Sequence, residues 1–295
     1  MKYVVTGSLG NISKPVVQQL VKAGHDVTVI SSSAARSAEI EALGAKAATG
    51  SVADFPFLAE TFKGADAVYT MVPPTWEAAN WKQHIHNIGK NYAAAIKTAG
   101  VKKVVNLSSI GAHMPDGCGP VSGLHGVEQE LNKLDGVDVR HLRPGFFYQN
   151  FMANIGMIKH MGIIGGNYGE NAVMPLSHPK DIADAAAEEL LQSGFSGKSV
   201  RYLASDERST SDVASVLGAA IGKPELPWVN FKNEDALGGM LGAGLPQEVA
   251  SNYVEMGAAM ASGEMGRDYQ ANRPAQGAIK LEQFAKEFAG AYSAN

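Results

Sequence analysis

Short apolar runs alternate with segments of helical period along the first half of the chain. Tyr3 to Thr6, Val27 to Ile30, Ala67 to Val72, Lys103 to Leu107 and Val137 to Leu142 read as strands, and Lys46 to Thr49 as a weaker one. Between the first two, Val16, Val17, Leu20 and Val21 share the apolar face of a helix that Gly24 ends. Further helices are expected through Glu39 to Leu43, up to Lys63-Gly64, from Trp76 to Thr98 and from Gly123 to Leu134. The long one carries Ile85, Ile88, Tyr92 and Ile96 at helical spacing. Pro73-Pro74 stops the fourth strand, because two prolines remove consecutive ladder donors. Repeats of strand then helix build a parallel sheet wrapped on both faces, so the expected class is α/β with a doubly wound parallel sheet.

After Arg143-Pro144-Gly145 the rhythm changes, and residues 162–169 look irregular. Helices are expected at Pro179 to Leu191, Ser211 to Ile221, Leu245 to Met260 and Ile279 to Tyr292, with a strand at Ser199 to Leu203. Ser209-Thr210-Ser211-Asp212 resembles a capping box opening the second of these helices. The expected division is residues 1–150 as a nucleotide-binding domain and 151–295 as a smaller C-terminal substrate lobe interleaved with the sheet. Met240, Met256, Met260 and Met265 suit adaptable packing or a pliable lid.

Composition narrows the chemistry. The chain has 295 residues, with Lys and Arg totalling 25 against 29 Asp and Glu, which gives no basic field for a polyphosphate backbone and argues against direct nucleic-acid binding. No apolar run is long enough to span a membrane. Met1 is followed at once by a strand pattern rather than a signal peptide, so a cytoplasmic address is expected. A single cysteine, Cys118, excludes an intrachain disulfide and a cysteine-based zinc site. His84 and His86 lie two apart on a helix and point to different faces, so no metal is expected. A Gly-x-Ser-x-Gly hydrolase elbow is missing.

The strongest signal is Thr6-Gly7-Ser8-Leu9-Gly10-Asn11-Ile12-Ser13, set between the first strand and the first helix. A pyrophosphate needs bare backbone at a helix N-terminus, and Gly7 and Gly10 supply it. That context makes the expected sheet a Rossmann-type one. Ser13 stands where a third glycine would allow close packing, at some cost in fit. Ser31-Ser32-Ser33-Ala34-Ala35-Arg36 follows the second strand. An NAD preference places a carboxylate there, whereas three hydroxyls and a guanidinium suit a 2′-phosphate, so NADP(H) is expected over NAD(H).

The opening Thr6-Gly7-x-x-Gly10, Val72-Pro73-Pro74, Asn106-Leu107-Ser108-Ser109, His125-x-x-Glu128, Leu142-Arg143-Pro144-Gly145 and the helix start Pro179-Lys180-Asp181-Ile182-Ala183 resemble the NmrA-like family of atypical short-chain dehydrogenase/reductases. The resemblance implies a pyrophosphate lined by Ser8, Leu9, Asn11 and Ile12, with Val72 and Pro73 beneath the ribose and nicotinamide side. It implies either an NADP(H)-dependent oxidoreductase acting on a quinone-like or planar aromatic electrophile, or a non-catalytic NADP-binding redox sensor of the NmrA type. A sugar-nucleotide epimerase or dehydratase is the third reading. Gly50-Ser51 replaces the Gly-Asp pair that meets adenine in the family, leaving Ser51 as the candidate at that place.

A lysine four residues after a tyrosine, the proton-donating pair of ordinary short-chain dehydrogenases, is found after none of the nine tyrosines. His125 occupies the corresponding helix, with Glu128 one turn later, and its imidazole suits an acid near neutrality or a scaffold for the helix. Ser108 and Ser109 end a strand on the side where such sheets bind ligands. Phe146, Phe147 and Tyr148 form an aromatic wall or core. His125, Ser108 and Tyr148 are thus the catalytic candidates. The expected partner is a small planar hydrophobic substrate, and the sequence leaves a homodimer open.

Overall fold

The computed structural model describes residues 1–192 and 194–294, and the chain divides into two compact units. The first comprises Met1–Ser109, Gly123–Arg143 and Ile182–Arg201; the second comprises Ile110–Ser122, Pro144–Asp181 and Tyr202–Asn295. Each unit therefore draws on three separate stretches of chain.

In the first unit, β1 (Lys2–Val5), β2 (Asp26–Ser31), β3 (Lys46–Thr49), β4 (Ala67–Thr70), β5 (Lys103–Leu107) and β6 (Asp138–Pro144) lie in the order 3-2-1-4-5-6. All of these pairings are parallel, with Val4 opposite both Thr28 and Val68. The strand Lys198–Leu203 adds a seventh member beside β6. This order reverses direction between β1 and β4, the switch point at which nucleotides settle at the carboxyl ends of the strands. The apolar runs are central: Val4, Val5, Val68, Val104, Val105 and Val139 are fully buried, as a sheet covered on both faces requires.

The connecting helices are α1 (Ser13–Lys22), α2 (Ser37–Ala42), α3 (Phe55–Phe62), α4 (Trp81–Ala99) and α5 (Pro120–Asn132). Val16, Val17 and Leu20 of α1 are buried, and Gly24 takes φ +80°, a left-handed stop that a side chain resists. The long helix starts at Trp81 rather than Trp76. Asn80 accepts a hydrogen bond from the Gln83 amide at 2.9 Å and caps it there. β4 in turn ends at Thr70, two residues before the expected Val72, so residues 71–80 form a loop at the carboxyl end of the sheet.

The second unit holds β7 (Phe146–Phe147), α6 (Ile155–Met161), β8 (Ile164–Gly166) and β9 (Val173–Ser177), and the first residues of α7 (Pro179–Gln192). The strand Lys198–Leu203 is β10, and β11 (Asp206–Ser209), α8 (Thr210–Ala220), β12 (Trp228–Asn230), α9 (Asn233–Gly242), α10 (Gln247–Ala261), α11 (Arg267–Ala271) and α12 (Leu281–Ala294) follow. β9 joins β11 and β7, and β8 pairs with β12. These strands of two to five residues leave too short an alternation to be read from sequence, and β8 lies within the stretch expected to be irregular. The capping box is present: Ser209 Oγ accepts from the Asp212 amide at 3.0 Å and the Asp212 carboxylate accepts from the Ser209 amide at 3.1 Å. Gly145 follows from crowding, because a Cβ there would sit 2.3 Å from the Pro175 carbonyl oxygen. Met265 is buried with Cys118, and Met256 and Met260 pack against the same cluster.

Candidate dinucleotide-binding site

The turn between β1 and α1 makes unusual demands on its residues. Gly7 takes φ +87° and a Cβ there would lie 2.5 Å from Ser13 Oγ and 2.9 Å from the Met71 side chain, so glycine is required on two counts. Ser8 follows at φ +53°, an unusual conformation for a residue with a side chain. It is held by its amide donating to the Ile30 carbonyl at 3.0 Å and by a 3.0 Å bond from its hydroxyl to Ser31 Oγ. Ser13 is buried and donates its hydroxyl to the Thr6 carbonyl at 2.9 Å. The serine therefore closes the turn from within, where the sequence suggested only a tolerated misfit. No side chain caps α1, and its first turn carries no carboxylate. The Lys14 amide donates to the Gly10 carbonyl at 3.0 Å and Pro15 has no amide hydrogen, so it is the positive dipole end of the helix that remains for phosphate oxygens.

Beneath the turn, Thr6 couples two strand ends. Its amide donates to the Tyr69 carbonyl at 3.1 Å, and its hydroxyl oxygen accepts from the Met71 amide at 2.9 Å. Tyr92 of α4 donates to the Met71 carbonyl at 2.6 Å, with its own phenol pushed far above the usual range by burial. These bonds fix the first residue of the 71–80 loop. Val72 and Pro73, the expected neighbours of the ribose, follow directly and are half-buried. Leu9 and Ile12 are buried, and Gly10 and Asn11 are exposed.

At the end of β2, Ser31 is buried and its hydroxyl donates to the Ser33 carbonyl at 3.2 Å, while Ser32 and Ser33 face solvent. The stretch carries no carboxylate of its own, but the fold brings one to it. Glu39 of α2 lies 3.8 Å from Arg36 and 2.9 Å from Lys14 Nζ of α1. The Lys14 ammonium bonds Glu39 and holds its carboxyl below the usual range. Nothing in the sequence marked Lys14 or Glu39, since their meeting depends on how α1 and α2 lie across the sheet edge. Ser51 is exposed after β3, and its hydroxyl accepts from the Ala53 amide at 3.1 Å.

The catalytic candidates occupy different surroundings. Ser108, at the end of β5, is buried and donates to Glu128 Oε1 at 2.5 Å. The same carboxylate accepts from Arg143 at 3.0 Å and 2.6 Å, a two-point ion pair enclosed on α5 and β6. His125 stands one turn before Glu128 and is half-buried. Tyr148 belongs to the second unit's core, stacked on Phe284 with ring centres 5.2 Å apart and donating to the Ile279 carbonyl at 3.3 Å. Phe146 packs against that core beside Phe151. Below Ser108 runs a buried polar chain: Thr70 donates to Asn106 at 2.9 Å, Asn106 meets His141 Nδ1 at 3.1 Å, and His141 Nε2 meets Asn132 at 3.0 Å. Burial pushes the His141 imidazole down to about 4. Among the described residues, no cluster of His, Cys, Asp or Glu could hold a metal ion, and no helix is long and apolar enough to cross a membrane.

The glycine turn at the switch point, the buried Thr6 tie and the helix end without a side-chain cap lie at the start of a stretch, residues 7–149, that matches the NAD(P)H-binding family model. This stretch is an NAD(P)H-binding domain. The chain is 28% identical over 253 residues to the NAD(P)H azoreductase of Xenophilus azovorans, covering 86% of this chain and 85% of that protein. It superposes on the NADPH-dependent quinone oxidoreductase of Escherichia coli in complex with NADPH with a TM-score of 0.82 at 21% identity, covering 97% and 99% of the two chains. The triphenylmethane reductase of Citrobacter sp. gives a TM-score of 0.81 at 18% identity over 98% and 100%. The family match covers the stretch that carries most of the short motifs read from the sequence, and the likeness to the quinone and triphenylmethane reductases is one of fold.

Proposed function

We propose that this protein is an NADP(H)-dependent oxidoreductase that passes hydride to a planar aromatic electrophile of quinone or azo type. The observation that carries the reading is the Gly7-Ser8 turn, held in a left-handed conformation against Ser31 and Ser13 beside an uncapped α1, in a chain similar over 86% of its length to an azoreductase. A bound reduced nicotinamide would supply the hydride. The backbone from Ser8 to Ile12 would bind the pyrophosphate, Ser31, Ser32, Ser33 and Arg36 the adenosine phosphate, Ser51 the adenine side, and Val72 and Pro73 the ribose and nicotinamide side.

The acid chemistry asked of the protein is small. The hydroxyls of Ser108 and Tyr148 are committed to Glu128 and Ile279, so we assign Ser108 to positioning and Tyr148 to shaping the second unit. His125, half-buried on α5, is the candidate that can carry a proton to a reduced product. Hydride addition to an extended π-system yields a stabilised anion that solvent can also protonate. Holding the electrophile about 3 to 3.5 Å from the donor carbon is then the main contribution to rate.

Following nicotinamide absorbance while the protein meets NADPH with a panel of quinones and azo dyes tests the reading. Oxidation of NADPH that depends on both partners supports it. Tight NADPH binding without oxidation by any electrophile would replace it with a dinucleotide sensor.

A further inference from the structure

Three side chains from two helices meet at the end of β2. Lys14 is the second residue of α1, immediately after the phosphate turn. Arg36 immediately precedes α2, and Glu39 lies in its first turn. Each oxygen of Glu39 faces one cation, Lys14 Nζ at 2.9 Å and the Arg36 guanidinium at 3.8 Å. The three side chains are 40%, 47% and 52% exposed for Lys14, Glu39 and Arg36, so water reaches all of them. The group lies close to the nucleotide turn in sequence and in structure: Ser8 Oγ is bonded to Ser31 Oγ, five residues before Arg36.

We propose that Lys14 and Arg36 form a clamp for the 2′-phosphate of NADP(H), with Glu39 as its resident counter-ion, so that Glu39 sets the preference between the two nicotinamide dinucleotides. This rests on the reading that the Gly7 turn binds such a cofactor. Two cations around one carboxylate leave a net positive charge where the ribose end of a bound dinucleotide would lie. A phosphate monoester brings nearly two charges and three acceptor oxygens, and so competes with a single carboxylate for both cations. An exposed ion pair is weak and exchanges readily. The uncharged 2′-hydroxyl of NAD(H) has no means of displacing Glu39, so the clamp stays closed on its own carboxylate. Glu39 thereby lowers affinity for the phosphorylated cofactor while keeping Lys14 and Arg36 gathered at one point.

The test uses the full chain with Glu39→Gln and Lys14→Met, titrated calorimetrically with NADPH, NADH and adenosine 2′,5′-bisphosphate. Both positions are exposed, so neither variant should disturb folding. Glu39→Gln is expected to tighten NADPH and the bisphosphate about fivefold and Lys14→Met to weaken them about tenfold, each moving NADH less than about twofold, as expected for single exposed charges. Added salt should erode the wild-type preference for NADPH, because screening acts on exposed charges. An unchanged ratio of NADPH to NADH affinity in both variants, or NADH moving as far as NADPH in either, overturns the clamp. Those results would leave a reductase of relaxed cofactor choice intact. Conversely, the expected affinity changes with no electrophile reduced would uphold the clamp and remove the reductase. Failure of all three compounds to bind the wild type would remove both.

Discussion

Glu128 and Glu39 of the first unit are each gripped by an arginine and one further donor, and they serve opposite ends. Glu128 is 2% exposed and holds Ser108 and Arg143 inside the molecule, whereas Glu39 is 47% exposed and holds Lys14 and Arg36 at its surface. Burial decides the difference. Breaking an enclosed pair costs far more than breaking an exposed one, so the Glu128 group fixes the ends of β5 and β6. The surface group loses little on opening, so its cations are free to exchange a carboxylate for a phosphate. Similar chemical parts make a brace in one place and a ligand site in the other.

The sharpest way to break this contrast is Glu128→Gln, which removes the buried carboxylate charge that Arg143 and Ser108 share. Denaturant unfolding should show a loss of about 3 to 5 kcal/mol, against less than about 1 kcal/mol for Glu39→Gln; similar losses from the two would erase the distinction. Acid should also discriminate between the two environments. His141 is buried neutral, with its pKa depressed from 6.5 to about 4. The unfolded chain therefore binds more protons between those values. The stabilising contribution is complete above about pH 6.5 and is lost as pH falls through about 4, by an amount on the order of 3 kcal/mol. His141→Gln should flatten that limb of a stability profile, and an unaltered profile would show that the imidazole does not carry it.

At the ligand end, Arg36→Glu should weaken NADPH about tenfold, on the order of 1.4 kcal/mol, with NADH nearly unaffected; equal losses would show that Arg36 does not read the 2′ position. Ser13→Ala removes the hydrogen bond that closes the glycine turn and should cost about 1 kcal/mol in thermal unfolding, together with a modest loss of affinity for both dinucleotides. Smallest of all, His125→Ala should leave dinucleotide affinity unchanged and lower turnover only where the electrophile needs a proton, which a pH–rate profile would reveal as the loss of one limb.

Much of the first unit was legible because its central strands, β1, β4 and β5 among them, are short apolar runs that are largely buried. Lys46 to Thr49 and Lys103 to Leu107 coincide with β3 and β5. The turn at Gly7 was legible too, since its demands on backbone conformation fall within a few neighbouring residues. Boundaries failed where a side chain intervened: Asn80 delays α4, and that delay creates the 71–80 loop. In the second unit, β7 and β12 are of two and three residues, and β9 and β11 find partners only across distant chain. No local period announces such strands. Tyr148 shows the same limit, because an aromatic residue after a strand suits a pocket wall and a core equally until Phe284 is seen stacked upon it.

By itself the sequence determined the order of strand and helix and the glycine turn that opens an NAD(P)H-binding stretch, because those depend on residues close along the chain and on backbone rules that act locally. Only the tertiary structure decided that Glu39 would stand between Lys14 and Arg36, that Glu128 would commit Ser108 to Arg143, and that Tyr148 would be core. Each of those outcomes joins residues far apart in the chain, and the burial that sets the strength of a charge or the fate of a hydroxyl exists only once the layers have packed.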